Sequence, residues 1–197
     1  AHPIETLDIG GGFCSDFSPA IASQLGFSAP SIEEYASIVA NMLDVAHARG
    51  KYKIIIEPGT LLSANCLHLV GGVKSVKNNQ GTEYYTVDIS KNNLGGISKG
   101  IEPEVFNLTQ DRISENTSGK IVGYTCIEND VIASTKGVYF EAEDVLYFPC
   151  VGSYSFVFKP PFINGDIAVF QWNGYELIET RRAETAIDVL RRDLIAR

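Results

Sequence analysis

Apolar and polar positions alternate in two regimes along the chain, and the change falls near residue 60. In the first regime, Thr6-Leu7-Asp8-Ile9 reads as a short strand running into Gly10-Gly11-Gly12. Ser31-Ile32-Glu33-Glu34 sets a hydroxyl and a carboxylate three residues apart, the capping box that satisfies free N–H groups at a helix start. The helix it opens carries Ile32, Tyr35, Val39, Met42, Leu43 and Ala46 on one face, and Gly50 is placed to end it. Tyr52-Lys53-Ile54-Ile55-Ile56 reads as the next strand, with Ile54 to Ile56 suited to a parallel strand buried on both faces. Strand, helix, strand, with a loop at each strand's C-terminal end, is the pattern of an α/β sheet or barrel.

Beyond residue 60 the pattern becomes β-rich. Residues 61–76, 84–88, 120–126, 145–151, 154–158, 167–172 and 175–178 are expected as β segments, separated by Gly, Asn, Ser and Pro. That spacing favours an antiparallel β-barrel or sandwich, with residues 102–119 as a polar loop. Residues 181–197 are predicted as a C-terminal helix, with Ala183, Ile187, Leu190 and Leu194 on one face. Its arginines either complement the helix C-terminal dipole or form a basic docking surface. The division expected is 1–60, 61–180 and 181–197.

Composition narrows the classes. The 197 residues are 45% apolar and 20% charged, which is globular rather than disordered. Sixteen basic residues against 24 acidic ones leave a formal charge of −8, which argues against a nucleic-acid partner. No apolar run approaches the roughly 20 residues that span a bilayer, and Ala1-His2-Pro3-Ile4 does not open a signal peptide, so no membrane partner is expected. Ala1 is not an initiator Met, and the start reads as a processed or truncated end. Cys14, Cys66, Cys126 and Cys150 are scattered, which suits reduced thiols in a cytoplasmic protein better than a zinc site or a disulfide framework.

Five short motifs could carry chemistry. Gly10-Gly11-Gly12 at a strand end is either a phosphate cradle, in which backbone N–H groups crowd an anion, or a tight turn. Glu57-Pro58-Gly59 ends the buried strand, where α/β barrels keep their chemistry; the alternative is a plain turn carboxylate. Cys126, with Glu128 and Asp130 close behind, is either a proton relay or buried filler. Gly152-Ser153-Tyr154 is a small-residue corner, and Asp88 ends the run Tyr84-Tyr85-Thr86-Val87.

Taken in order, Leu7-Asp8-Ile9-Gly10-Gly11-Gly12-Phe13, Glu57-Pro58-Gly59, Tyr84-Tyr85-Thr86-Val87-Asp88, Gly123-Tyr124-Thr125-Cys126-Ile127-Glu128-Asn129-Asp130 and Gly152-Ser153-Tyr154 resemble the fold-type III pyridoxal-phosphate decarboxylases. These act on ornithine, diaminopimelate, arginine or carboxynorspermidine. The resemblance implies an α/β plus all-β protein: the last βα units of an alanine-racemase-like TIM barrel, then a C-terminal antiparallel β-barrel or sandwich domain. It implies a lyase of amino-acid metabolism with pyridoxal 5'-phosphate as cofactor, an amino-acid-derived substrate and a homodimer with active sites at the interface. By the same resemblance, Gly10, Gly11, Gly12, Gly59 and Tyr154 bind the cofactor, with the three glycines and Tyr154 on its phosphate, and Glu57 faces the pyridine nitrogen. Asp88 and Glu128 meet the substrate's distal group. Cys126 protonates the carbanion after carbon dioxide leaves, reaching into the neighbouring subunit's site.

Departures from the family pattern bear on the reading. No lysine of the chain occupies the position of the family's Schiff-base Lys, which belongs to an N-terminal barrel half together with a ring-stacking His. About six barrel strands are absent, and two βα units cannot close a barrel. Thr60 stands where the family has Arg, and Ile127 where it has an acid; Glu128 is the candidate substitute, although one step along a strand changes the face. Ile89-Ser90-Lys91-Asn92-Asn93-Leu94 lacks the Arg that holds a diaminopimelate carboxylate, which points to a basic or conjugated amino acid. A non-catalytic homologue acting as a binding partner is the alternative.

Overall fold

The computed structural model describes residues 4–98, 100–160 and 162–191. Contacts divide the chain into two compact units, Ala1–Lys159 and Pro160–Arg197. The segments 1–60 and 61–159 therefore share one unit, although their strand patterns differ.

The first unit opens with β1 (Thr6–Asp8), α1 (Pro19–Leu25), α2 (Ile32–Val45) and β2 (Lys53–Ile55). β1 and β2 are parallel neighbours, with Leu7 opposite Ile54. Ser18 caps α1, Pro19 occupies its first turn, and Gly26 closes it at φ +72°. The capping box of α2 is formed in both directions: Ser31 Oγ accepts the Glu34 N–H at 3.2 Å, and Glu34 Oε2 accepts the Ser31 N–H at 2.7 Å. The helix ends at Val45 rather than at Gly50. The Ala48 N–H folds back to the Leu43 carbonyl at 2.7 Å, His47 turns left-handed at φ +50°, and Arg49 pairs with Asp44 at 2.6 Å. β2 is not buried on both faces, since Ile55 and Ile56 are 39% and 44% exposed. The pair β1–β2 has no further strand neighbour among the described residues, so this βα layer stays open.

The rest of the first unit is built on a six-stranded sheet. After α3 (Gly59–Ser63) and a 3₁₀ turn over Ala64–Cys66 come β3 (Leu69–Asn79), β4 (Thr82–Val87), β5 (Phe106–Asn107), β6 (Ile113–Val122), β7 (Val131–Val138) and β8 (Val145–Phe148). Their order in the sheet is β5-β8-β3-β4-β6-β7. Every neighbour pair is antiparallel except β4–β6, which is parallel. Gln80 and Gly81 link β3 to β4, both at positive φ, as tight hairpins require. Tyr85, Val73, Val87, Ile121, Leu146 and Phe148 are fully buried, and Tyr85 meets Phe140 edge-on at 5.0 Å.

Three local expectations are corrected here. Residues 59–66 are helical before the strand begins. Residues 154–158 form a turn, with the Phe158 N–H on the Tyr154 carbonyl at 3.0 Å. Part of 102–119 is strand: early β6 shows no apolar alternation, since most of its side chains face solvent, and it is strand through its pairing with β7. Asp144, almost fully buried, accepts hydrogen bonds from Arg112, from Asn107 at 2.9 Å and from the Glu141 N–H at 2.9 Å.

The second unit holds the antiparallel hairpin β9 (Val169–Trp172) and β10 (Leu177–Arg181), then α4 (Ala186–Leu190). The helix expected from residue 181 therefore starts later. Arg181 is a strand residue opposite Val169, and Thr185 with Asp188 forms the capping box that opens α4. Arg182 grips Asp188 with two hydrogen bonds of 2.6 and 2.8 Å, which hold that carboxyl well below the usual range. Residues 192–197 of the expected helix lie outside the described residues.

Candidate functional site

The parallel pairing of β1 and β2 continues past both strands. The Ile9 N–H donates to the Ile55 carbonyl at 3.0 Å, and the Glu57 N–H donates to the Gly10 carbonyl at 2.8 Å. Gly10-Gly11-Gly12 and Glu57-Pro58-Gly59 therefore leave the same end of the sheet side by side. Gly10 and Gly12 adopt φ of +72° and +91°, a region that costs L side chains strain. At Gly11 a Cβ would lie 2.8 Å from the Glu57 carbonyl, whereas open space surrounds the Cβ positions of Gly10 and Gly12.

The turn is held from below and from the side. Asp8 Oδ1 accepts the Gly10 N–H at 2.9 Å. Tyr35, on α2, donates its hydroxyl to the Gly12 carbonyl at 3.2 Å and packs its ring 4.9 Å from that of Phe13. Burial, reinforced by the neighbouring Cys14, pushes the Tyr35 hydroxyl above its ordinary pKa. A glycine turn with room for an anion, beside an exposed carboxylate, fits the phosphate and ring nitrogen of a pyridoxal phosphate.

The corner at Gly152-Ser153-Tyr154 is tied to the segment that follows Glu57. The Gly152 N–H donates to the Ala64 carbonyl at 3.0 Å, and a Cβ on Gly152 would collide with the Ser63 carbonyl. Ser63 Oγ donates to the Gly59 carbonyl at 2.7 Å and lies 3.4 Å from Ser153 Oγ, across 90 residues of sequence. Tyr154 takes φ +64° on this corner, and its ring is exposed beside Phe158.

Asp88 and the Cys126 turn form a second group, at one end of the β4–β6 pair. The Asp88 carboxylate accepts the Gly72 N–H at 2.7 Å and sits 3.3 Å from Lys74 Nζ, on exposed surface. Next to it, the Tyr124 N–H reaches the Ile89 carbonyl at 3.3 Å. Cys126 and Glu128 are exposed on the turn between β6 and β7, not on a strand, so strand alternation does not decide which way Glu128 faces. The two groups are linked through Gly95, whose Cβ would lie 2.5 Å from the backbone of Tyr154 and Ser155.

One residue without an assigned role in the sequence reading organises the second group. Asp130 is 6% exposed and accepts four hydrogen bonds, from Ser90 Oγ, the Lys91 N–H, the Thr125 N–H and Thr125 Oγ1. Its position within the motif was visible, but its burial was not, because a carboxylate close behind a cysteine reads equally well as solvent-facing. Among the described residues no cluster of three or more His, Cys, Asp or Glu could hold a metal ion, and no helix is long and apolar enough to cross a membrane. None of the four cysteines forms a disulfide.

Residues 1–64 match the family described as pyridoxal-dependent decarboxylase, pyridoxal binding domain. The diaminopimelate decarboxylase of Pseudomonas fluorescens is 26% identical over 167 residues, 81% of this chain and 38% of that protein. An Aquifex aeolicus protein of known crystal structure superposes with a TM-score of 0.80 at 22% identity, over 98% of this chain and 46% of that one. The diaminopimelate decarboxylase of M. jannaschii superposes at 0.77 and 21% identity, over 98% and 44%. The chain thus spans less than half the length of these relatives. Residues 1–64 thus match the pyridoxal-binding domain of the pyridoxal-dependent decarboxylases, and the chain shares the fold of slightly less than half of these solved structures.

Proposed function

We propose that this chain is the C-terminal part of a pyridoxal-phosphate-dependent decarboxylase that removes the α-carboxylate of a basic or conjugated amino acid. The observation that carries the reading is the side-by-side exit of the Gly10–Gly12 turn and Glu57 from two hydrogen-bonded parallel strands. In this reading residues 1–60 complete the pyridoxal-binding barrel, 61–180 form the β-domain, and an N-terminal barrel half brings the covalent lysine.

The backbone N–H groups of Gly11 and Gly12 bind the phosphate, that of Gly10 being held by Asp8, with Gly59 beside them and the Tyr154 hydroxyl closing from the β-domain. The Glu57 carboxylate holds a proton on the pyridine nitrogen. When bound, the cofactor supplies an electron-poor ring that accepts the electron pair released as the Cα–carboxylate bond breaks. Cys126 Sγ–H then delivers a proton to that carbon, and water restores the thiol. Asp88 and Glu128 draw the cationic distal end of the substrate, with Lys74 as Asp88's resting partner.

Two copies of the enzyme pair in the cytoplasm, so that Cys126 of one acts in the site of the other. The run 89–94, without the expected arginine, favours a substrate other than diaminopimelate, although relatives are named for that substrate.

The test uses the intact gene product. It should take up pyridoxal phosphate, turn yellow and release carbon dioxide from a basic amino acid, and Glu57→Gln should lower turnover while the protein stays loaded. A colourless protein that takes up no cofactor would remove the proposal.

A further inference from the structure

We propose that Asp130 is the positioning residue of the Cys126 turn: its buried carboxylate fastens that turn to the segment that follows β4 and begins at Asp88. The inference rests on the reading of Cys126 as the proton donor and deepens it. A buried carboxylate is tolerated only when its lone pairs are satisfied. Asp130 meets that demand by spanning two segments. Oδ1 accepts Ser90 Oγ at 3.0 Å and the Lys91 N–H at 2.7 Å, and Oδ2 accepts Thr125 Oγ1 at 2.6 Å and the Thr125 N–H at 3.2 Å.

The turn itself is closed from within. The Gly123 N–H donates to the Asp130 carbonyl at 2.8 Å, the Asp130 N–H to the Ile127 carbonyl at 2.9 Å, and the Ile127 N–H to Thr125 Oγ1 at 3.3 Å. Gly123 lies so close to the carboxylate that a Cβ there would collide with it. On the other side, Ser90 and Lys91 continue directly from Asp88 and Ile89. Cys126 makes none of these bonds and projects from a frame that Asp130 holds on both sides. A proton donor must sit at hydrogen-bond distance from the accepting carbon, and a displacement of about 1 Å costs roughly 100-fold in rate. The clamp therefore sets the thiol's efficiency without touching substrate.

The experiment compares Asp130→Asn, Thr125→Val, Thr125→Ser and Cys126→Ala in the intact, cofactor-loaded enzyme. Three quantities are read: amide exchange over residues 123–130, the alkylation rate of Cys126 located by peptide mapping, and the fraction of turnovers giving the correctly protonated amine. Asp130→Asn and Thr125→Val should speed exchange and alkylation and lower that fraction by about tenfold to 100-fold, with cofactor uptake unchanged. Thr125→Ser, which keeps the hydroxyl, should behave as the parent.

Wild-type exchange and product in both disrupted variants would overturn the clamp, even if Cys126→Ala slows protonation. Faster exchange in Asp130→Asn, together with an inert Cys126→Ala, would uphold the clamp and reject Cys126 as the donor. If Asp130→Asn fails to fold, Thr125→Val against Thr125→Ser decides the question alone.

Discussion

The backbone N–H of Glu57 donates to the carbonyl of Gly10 at 2.8 Å, so the acidic motif and the glycine turn are consecutive rungs of one parallel ladder. Under the proposed function, the phosphate end and the ring-nitrogen end of a single planar cofactor would fall to neighbouring strand tips. Any change that pushes these tips apart should loosen the cofactor before it affects the β-domain.

Gly11→Ala is the smallest such change. Its Cβ would press on the Glu57 carbonyl from 2.8 Å, and overpacking of this kind costs about 1–3 kcal/mol. We expect pyridoxal phosphate affinity in the intact enzyme to fall by roughly tenfold or more, measured by equilibrium dialysis, while Gly26→Ala, at the C-terminal cap of α1 with open space for its Cβ, leaves it unaltered. An affinity equal to the parent's would show that the two tips do not share the cofactor.

Tyr35→Phe removes the hydroxyl that holds the Gly12 carbonyl but keeps the ring on Phe13. The expected outcome is faster cofactor dissociation with an unchanged melting temperature of the cofactor-free protein. A lower melting temperature with normal dissociation would assign Tyr35 to helix packing instead.

Cys126→Ala should leave cofactor uptake intact and slow correct protonation by about 100-fold or more, the range for a well-placed general acid. Product analysis checks this: the decarboxylated amine should give way to misprotonated product. Unaltered turnover and product would exclude the thiol from the step.

Asp144 gives a pH prediction. Burial by itself would raise its carboxyl, but the hydrogen bonds from Arg112, the Glu141 N–H and Asn107, with the Arg112 charge, hold it below the usual carboxylate range. A folded pKa below the unfolded one, about 3.9, means the contribution is full above that value and is lost as pH falls through the folded one. Thermal unfolding of the intact protein between about pH 6 and pH 2 should show this loss, and Asp144→Asn should flatten the acid limb. An unchanged acid limb in the variant would place the acid sensitivity elsewhere.

The sequence alone determined the local pieces. The capping box at Ser31 and Glu34, the glycine turn after the first strand and the strand before Glu57 are legible because caps, turns and periodicity depend on residues a few positions apart. The order of the five motifs was enough to suggest the family that residues 1–64 match. Tertiary structure decided what local pattern cannot encode. Early β6 is a strand because it pairs with β7, not because its own residues alternate. Residues 154–158 turn instead of extending, and the corner just before them is seated on Ser63 and Ala64, with Ser153 against Ser63 across 90 residues. Asp130 became a buried clamp only when the sheet brought Ser90 and Thr125 to its two oxygens. Short-range geometry fixes a helix start or a turn, whereas burial and pairing depend on partners that only the folded chain brings together.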